Sequence, residues 1–272
     1  MNEALVISSR GDDALALVLR TLVFECLDST NDEARRRAEC GAESGTVVWA
    51  RRQSAGRGRR GRSWVSLEGN VYCSVLLRPC CPLAAAAPLS FVAAVAVARA
   101  VGEMLPSEKR VQLKWPNDVL IDGRKVSGVL LESGTDSSGN VDWVSVGVGI
   151  NVCHFPEETD YPATSLVAEG LVTWEVEAVL KSFLDHFVQW YRIWQTFGPA
   201  RVRAAWLEQA VGVGALISVR LHRETLTGTF VGLSEDGALL LAPSEGGPIR
   251  LVSAGDVFFP GMVAAPTVVP VF

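Results

Sequence analysis

Between Arg51 and Arg62 the chain holds six arginines, three glycines and no acidic residue. A stretch like this cannot enter a core, because a buried guanidinium needs a counter-charge and the segment supplies none. It also lacks apolar periodicity. It therefore reads as a loop, and what lies on either side fixes what kind of fold can carry it. Thr46 to Ala50 before it is β-branched and aromatic, and Val71 to Leu77 after it is apolar throughout; both read as strands. The loop is thus tethered at both ends inside a folded unit. The charge sum sharpens this reading: the chain as a whole has a net charge of −5, so the remainder outside the loop is more acidic still. Positive charge is concentrated at one place, and a generic nucleic-acid binder, which is basic overall, is not expected.

Other elements follow from pattern. Leu22 to Leu27 reads as a strand. Thr30-Asn31-Asp32-Glu33 has the spacing of a reciprocal helix cap, with a helix expected from Asp32 to Cys40. Leu89 to Leu105 is apolar all round, as a buried helix is, and the run from Leu83 to Ala98 falls short of the about 20 residues of a membrane span. Val111 to Trp115 alternates until Pro116 stops it. Asp122-Gly123, between Val119-Leu120-Ile121 and Val126 to Leu131, is a hairpin signal, and Val141 to Val152 is a further strand. Trp174 to Phe197 carries apolar residues at helical spacing, and Arg201 to Gln209 reads as a second, shorter helix. Beyond Val211 helical patterns vanish, and Leu216 to His222, Thr225 to Leu233, Ala238 to Leu241 and Ile249 to Val252 read as strands of a small barrel. The expected division is a mixed α/β domain over residues 1–210, a β-barrel over 211–260, and an apolar tail over 261–272.

Met1 to Ala4 lacks the basic start of a secretory signal, and the six cysteines form no C-x-x-C pair. The expectation is a cytoplasmic protein with reduced thiols and no membrane segment.

Three segments carry chemistry. The arginine loop offers guanidinium forks and backbone amides, a combination that holds phosphate or carboxylate oxygens; the alternatives are a solvated basic loop and an Arg-Gly nucleic-acid arm. Lys114-Trp115-Pro116-Asn117-Asp118 places two polar side chains at a strand end, and the following hairpin returns Lys125 and Gly128 to the same neighbourhood. Singly these residues suit a surface lysine and a turn; together they suit a ligand site. Asp28-Ser29-Thr30-Asn31 is a helix cap that can also touch a ligand.

In this order, with Gln53 leading through Gly56-Arg57-Gly58-Arg59-Arg60-Gly61-Arg62 to Trp64 and with Gly147-Val148-Gly149-Ile150-Asn151-Val152 further on, these segments resemble the biotin protein ligase family over about Phe24 to Phe259. The resemblance implies an α/β (α+β) catalytic domain with a mixed biotin/lipoate ligase-like sheet, followed by a small SH3-like β-barrel. It implies ATP and Mg2+ as cosubstrates, biotin as substrate, a biotinyl-5′-adenylate intermediate, and transfer to a lysine of a biotin carboxyl carrier domain. By the same resemblance Ser29, Thr30, Asn31 and Gln53 contact biotin, with Arg57, Gly58, Arg59 and Lys125. Gly56, Arg57, Arg59, Arg60, Arg62, Trp64, Asn117 and Asn151 are the adenylate contacts, and Lys125, Arg59 and Asp118 act in catalysis. No metal ligands are assigned.

Ser127 stands where the family usually has glycine or alanine next to Gly128, and is expected to bring a hydroxyl to the pocket and narrow it. Pro260 to Phe272 extends past the match. A lipoate or octanoyl transferase is the neighbouring enzyme class, but Arg52-Gln53-Ser54-Ala55-Gly56 lacks that class's double glycine. Only 23 residues precede the first matching strand, too few for a winged helix, so a repressor is not expected. A biotin-binding module without catalysis would need neither the arginine loop nor Lys125. The expected partner is the carrier domain, without nucleic acid or membrane, for a monomer or transient homodimer.

Overall fold

The computed structural model describes residues 4–5, 17–157, 159, 161–173 and 175–259. The expected apolar tail, the first residues of the chain and Trp174, at which the long helix is expected to begin, lie outside them. Among the described residues the larger sheet has eight strands: β1 (Ala4–Leu5), β2 (Arg20–Leu27), β3 (Thr46–Gln53), β4 (Val71–Leu77), β5 (Val111–Lys114), β6 (Asp118–Ile121), β7 (Arg124–Thr135) and β8 (Val141–Ile150). Their order is β1-β2-β3-β4-β8-β7-β6-β5. The β2–β3 pair is parallel, because α1 (Thr30–Glu39) carries the chain back between them, whereas the others are antiparallel and joined more directly. The Asp122-Gly123 hairpin forms as expected, with φ of 47° and 79°, the doubly left-handed turn that this pair of residues accommodates most readily.

Strand β4 is buried along its whole length, since the sheet is covered on both faces. Val71, Cys73, Val75 and Leu77 point into the main core with Val144, Val146 and Val148 of β8. This face packs against α3 (Leu89–Met104), which follows the short α2 (Leu83–Ala86), and α3 packs against α4 (Val176–Phe197) and α5 (Pro199–Glu208). The span 83–104 is apolar enough to cross a membrane by length, but here it is mostly buried inside the protein. The alternate residues Tyr72, Ser74, Ser145, Gly147 and Gly149 face the other way, toward α1 and the cavity described below.

The carboxyl-terminal sheet has five antiparallel strands in the order β12-β11-β10-β9-β13. They are β9 (Leu216–Arg220), β10 (Thr225–Leu233), β11 (Leu239–Pro243), β12 (Arg250–Val252) and β13 (Asp256–Phe258). Its apolar residues join the main core without a break, and Trp115 Nε1 donates to the Gly237 carbonyl across the junction at 3.1 Å.

Several expectations change. The helix α1 starts at Thr30, and the Thr30/Glu33 cap does not form: Thr30 turns its hydroxyl to Ser74, 2.9 Å away, while Glu33 pairs with Arg36 and Arg37. The apolar run from Leu83 divides at Pro88. Strand β3 continues to Gln53, so Arg51 and Arg52 belong to the sheet rather than the loop. Strand β13 carried no signal in the sequence, because three residues form it only by pairing with β9.

Candidate functional site

The sheet face turned toward α1 borders a cavity of about 490 Å³, within the range of small-molecule sites. Its base is made of glycines. Gly128 of β7 and Gly149 of β8 are direct partners, and a side chain on either would strike the Trp64 ring, at 3.2 Å from Gly128 and 2.6 Å from Gly149. Trp64 therefore lies against bare backbone. Gly147 leaves room in the same way for Asn31, whose Oδ1 would meet an added Cβ at 2.4 Å.

One end of the cavity is neutral and polar. Ser74 Oγ lies 2.6 Å and Ser145 Oγ 2.9 Å from Asn31 Oδ1, and Asn31 Nδ2 donates to the Leu130 carbonyl at 3.3 Å. Gln53 accepts the Thr30 amide at 2.8 Å and donates to Ser66 at 2.9 Å. Ser29, Thr30 and Asn31 are buried and fixed, so they present hydrogen-bonding groups to the cavity at little entropic cost.

The other end is charged. Asp118, at the end of the turn after Pro116, receives Lys125 Nζ at 2.5 Å on Oδ1 and has Lys114 Nζ 3.7 Å from Oδ2. Burial pushes the Asp118 carboxyl up, but the two ammonium groups outweigh it and hold it below the usual carboxylate range. Lys114 is shifted down by its own burial, which the Asp118 charge only partly offsets. Lys125 also lies 5.4 Å from the centre of the Trp64 ring.

The arginine segment is a small hairpin, with Arg57 bridged to Ser63 and a 3₁₀ turn at Arg59–Gly61. Its members diverge. Arg57, Gly58, Arg59 and Arg62 line the cavity. Arg59 donates to Asn117 Oδ1 at 3.4 Å, and burial lowers its pKa. Arg57 is held by Asp32 at 3.0 Å and Glu132 at 2.8 Å. Arg62 reaches Asp256 of β13 at 2.8 Å. Arg60 turns out of the cavity to the same Asp256, at 3.2 Å, and Arg51 pairs with Glu25 and Glu177 on a separate surface. Concentrated charge in the sequence thus becomes three cavity arginines, not six.

Of the residues singled out from the sequence, Ser29, Thr30, Asn31, Gln53, Arg57, Gly58, Arg59, Arg62, Trp64, Asn117, Asp118, Lys125 and Asn151 come together here. Gly56 and Arg60 do not line the cavity. Gly56 sits in the tight turn behind Trp64, where a Cβ would be 2.5 Å from the Trp64 carbonyl. Ser127 also corrects an expectation: it is fully buried, its hydroxyl has no partner among the described residues, and it does not line the cavity. Asn151 spends its amide on the Thr164 carbonyl at 3.0 Å. Sequence reasoning missed Lys114, Tyr161, Asp256 and Phe258, which also line the cavity. Lys114 was visible within its motif; the others stand far along the chain in segments without polar clustering.

A mixed sheet with a glycine base, a neutral polar end and a cationic end defines a cavity that suits an extended ligand with an anionic terminus. The model of the biotin/lipoate A/B protein ligase family matches residues 23–151, and that of the biotin protein ligase carboxyl-terminal domain matches 217–259. A biotin–[acetyl-CoA-carboxylase] ligase of Paracoccus denitrificans is 40% identical over 239 residues, covering 86% of this chain and 98% of the relative. A bifunctional ligase/repressor of Bacillus subtilis is 36% identical, covering 87% of this chain and 73% of that protein. The biotin protein ligase of Aquifex aeolicus, solved with biotin and ATP, superposes with a TM-score of 0.73 at 32% identity, over 88% of this chain and 97% of that one. The chain belongs to the biotin protein ligase family, and it is a ligase.

Proposed function

We propose that this chain activates biotin with ATP as biotinyl-5′-adenylate and transfers the biotinyl group to a lysine of a biotin carboxyl carrier domain. The observation that carries the reading is the convergence of Lys125, Arg59 and Arg57 on one cavity whose opposite end is neutral and polar. In the first step a carboxylate oxygen of biotin attacks the α-phosphorus; the bond to the bridging oxygen breaks, and pyrophosphate leaves with the electron pair. Two anions must meet, and Lys125 with the loop arginines offsets their repulsion. In the second step the acceptor amine attacks the acyl carbon, the bond to the phosphate oxygen breaks, and AMP departs while the amine gives up a proton. Asp118 faces this region. A carboxyl held below its ordinary pKa is a weak base, which favours orienting the amine over accepting its proton. Ser29, Thr30, Asn31 and Gln53 take the neutral end of biotin; Trp64, Asn117 and Asn151 border the nucleotide.

Magnesium enters with the phosphates of ATP as part of that substrate. Among the described residues no three or more His, Cys, Asp or Glu side chains are placed together so as to hold a metal ion, and Asp118 and Asp256 are already paired with cations. This donor set fits no resident metal ion. Further parts of the proposal are a catalytic unit over 1–210 with a β unit over 211–260, a cytoplasmic location, no nucleic-acid partner, and a monomer or transient homodimer.

Biotin-dependent exchange of pyrophosphate into ATP tests the first step, and the mass gain of an added carrier domain tests the second. Both are expected of the parent chain, and Lys125→Ala is expected to lose exchange by about 10²-fold or more. Biotin binding without exchange in the parent chain would leave a binding module instead.

A further inference from the structure

Lys125 stands where the ladder of its own strand is irregular. The β6–β7 register shifts between Val119, opposite Ser127, and Leu120, opposite Lys125, so Val126 is an extra residue that re-aims the strand beside the site. The backbone bonds of Lys125 fall elsewhere. Its amide donates to the Pro162 carbonyl at 2.7 Å and its carbonyl accepts the Thr164 amide at 2.9 Å, a parallel bridge centred on Ala163. The direction in which Lys125 points is thus set by segment 162–164, and depends on what holds that segment.

Glu169 holds it. Its carboxylate is fully buried and takes donors from three parts of the chain: Thr164 Oγ1 in the segment itself, Arg124 at 2.6 Å in the residue before Lys125, and Lys109 at 2.7 Å just ahead of β5. Lys109 also lies 3.5 Å from Asp122 in the β6–β7 turn. We infer that Glu169 is a positioning residue for Lys125, an inference that rests on the adenylate-forming reading above. Glu169, Arg124 and Lys109 do not line the cavity, so they touch no ligand there. The charges of Lys109, Arg124, Glu169 and Asp122 cancel. The cluster therefore acts less by its field than by fixing the backbone, through Arg124 before Lys125 and Thr164 beside it. A reacting group backed by such a shell is kept within about 0.5 Å of its productive position.

Glu169→Gln keeps the volume and an acceptor for Thr164 but no longer pairs Arg124 and Lys109. Biotin-dependent pyrophosphate exchange should lose about 10- to 10²-fold in kcat, the loss that a displacement of about 1 Å produces. KM for biotin should stay within about threefold, because the neutral end of the cavity is built on other elements. Affinity for supplied biotinyl-5′-adenylate, read by titration calorimetry, should fall about tenfold in the parent background but less than about twofold in Lys125→Ala, where the positioned group is gone. Direction is itself a test, since removing a negative charge would by its field alone tighten the hold on an anion. Equal losses in both backgrounds, a raised KM with unchanged kcat, or parent-like exchange in Glu169→Gln would overturn the positioning role while leaving the ligase reading intact. Absence of exchange in the parent chain would instead remove that reading. Should Glu169→Gln not fold, Arg124→Gln, at a side chain 45% exposed, is put through the same cycle: coupling to Lys125→Ala supports the role, and additivity overturns it.

Discussion

At the scale of single residues, Asp118 is the pivot, since it is a buried carboxylate standing between two lysines. Its removal would leave Lys114 and Lys125 facing each other without a counter-charge. Asp118→Asn is therefore expected to destabilise the fold by about 3 kcal/mol at neutral pH, in the range of broken buried pairs. Because the folded carboxyl titrates below the ordinary value of 3.8, its contribution is complete above the unfolded pKa and disappears as pH falls through the folded one. The gap between parent and variant in denaturant unfolding should be flat from about pH 8 to pH 5 and shrink below about pH 4. Arg59 gives a second test. It is the loop arginine in the cavity without a carboxylate of its own, so Arg59→Gly should release the adenylate faster, by about tenfold or more, seen as labelling of bystander lysines. The identity of these residues was legible because their types cluster in sequence; Tyr161 and Phe258 were not, because an isolated aromatic residue has no local signature that separates a cavity wall from a core.

At the scale of elements, the pairing of β7 with β8 places Gly128 opposite Gly149, and the ring of Trp64 occupies the space where two side chains would stand. Gly149→Ala adds a carbon 2.6 Å from that ring. The expected result is a displaced Trp64, a loss of about 1 to 3 kcal/mol in stability, and weakened biotin binding by titration calorimetry; an unchanged affinity would show that the ring does not shape the site. Strand and helix positions were mostly legible from alternation and apolar spacing, and the Asp122-Gly123 turn from its dihedral demands. Two features were hidden for a common reason. The failed Thr30 cap and strand β13 both depend on partners distant in sequence, Ser74 in one case and β9 in the other. The arginine hairpin was also hidden, since its shape comes from backbone bonds such as Gly58 to Arg62 rather than from side-chain pattern.

At the scale of the whole molecule, a composition shift near Val211 announced the second sheet, but not that it shares a core with the first or that it reaches into the site. Asp256 makes that reach. By holding Arg60 and Arg62 it ties the tip of the arginine hairpin to β13. Asp256→Asn should free the tip, and limited trypsin digestion should then cut between Arg57 and Arg62 several times faster, while the unfolding midpoint moves little because partly exposed pairs stabilise weakly. An unaltered cutting rate would mean that the hairpin's own backbone bonds suffice. This fastening is made of ions and not of packed carbon, and so it answers to the medium. Raising the salt from about 0.15 M to 1 M shortens the screening length from about 8 Å to 3 Å; a fastener at the rim of the cavity loosens under such conditions long before the apolar core notices. On the adenylate reading proposed above, the ionic strength of the surrounding solution is then expected to control how long a reactive intermediate is kept from water.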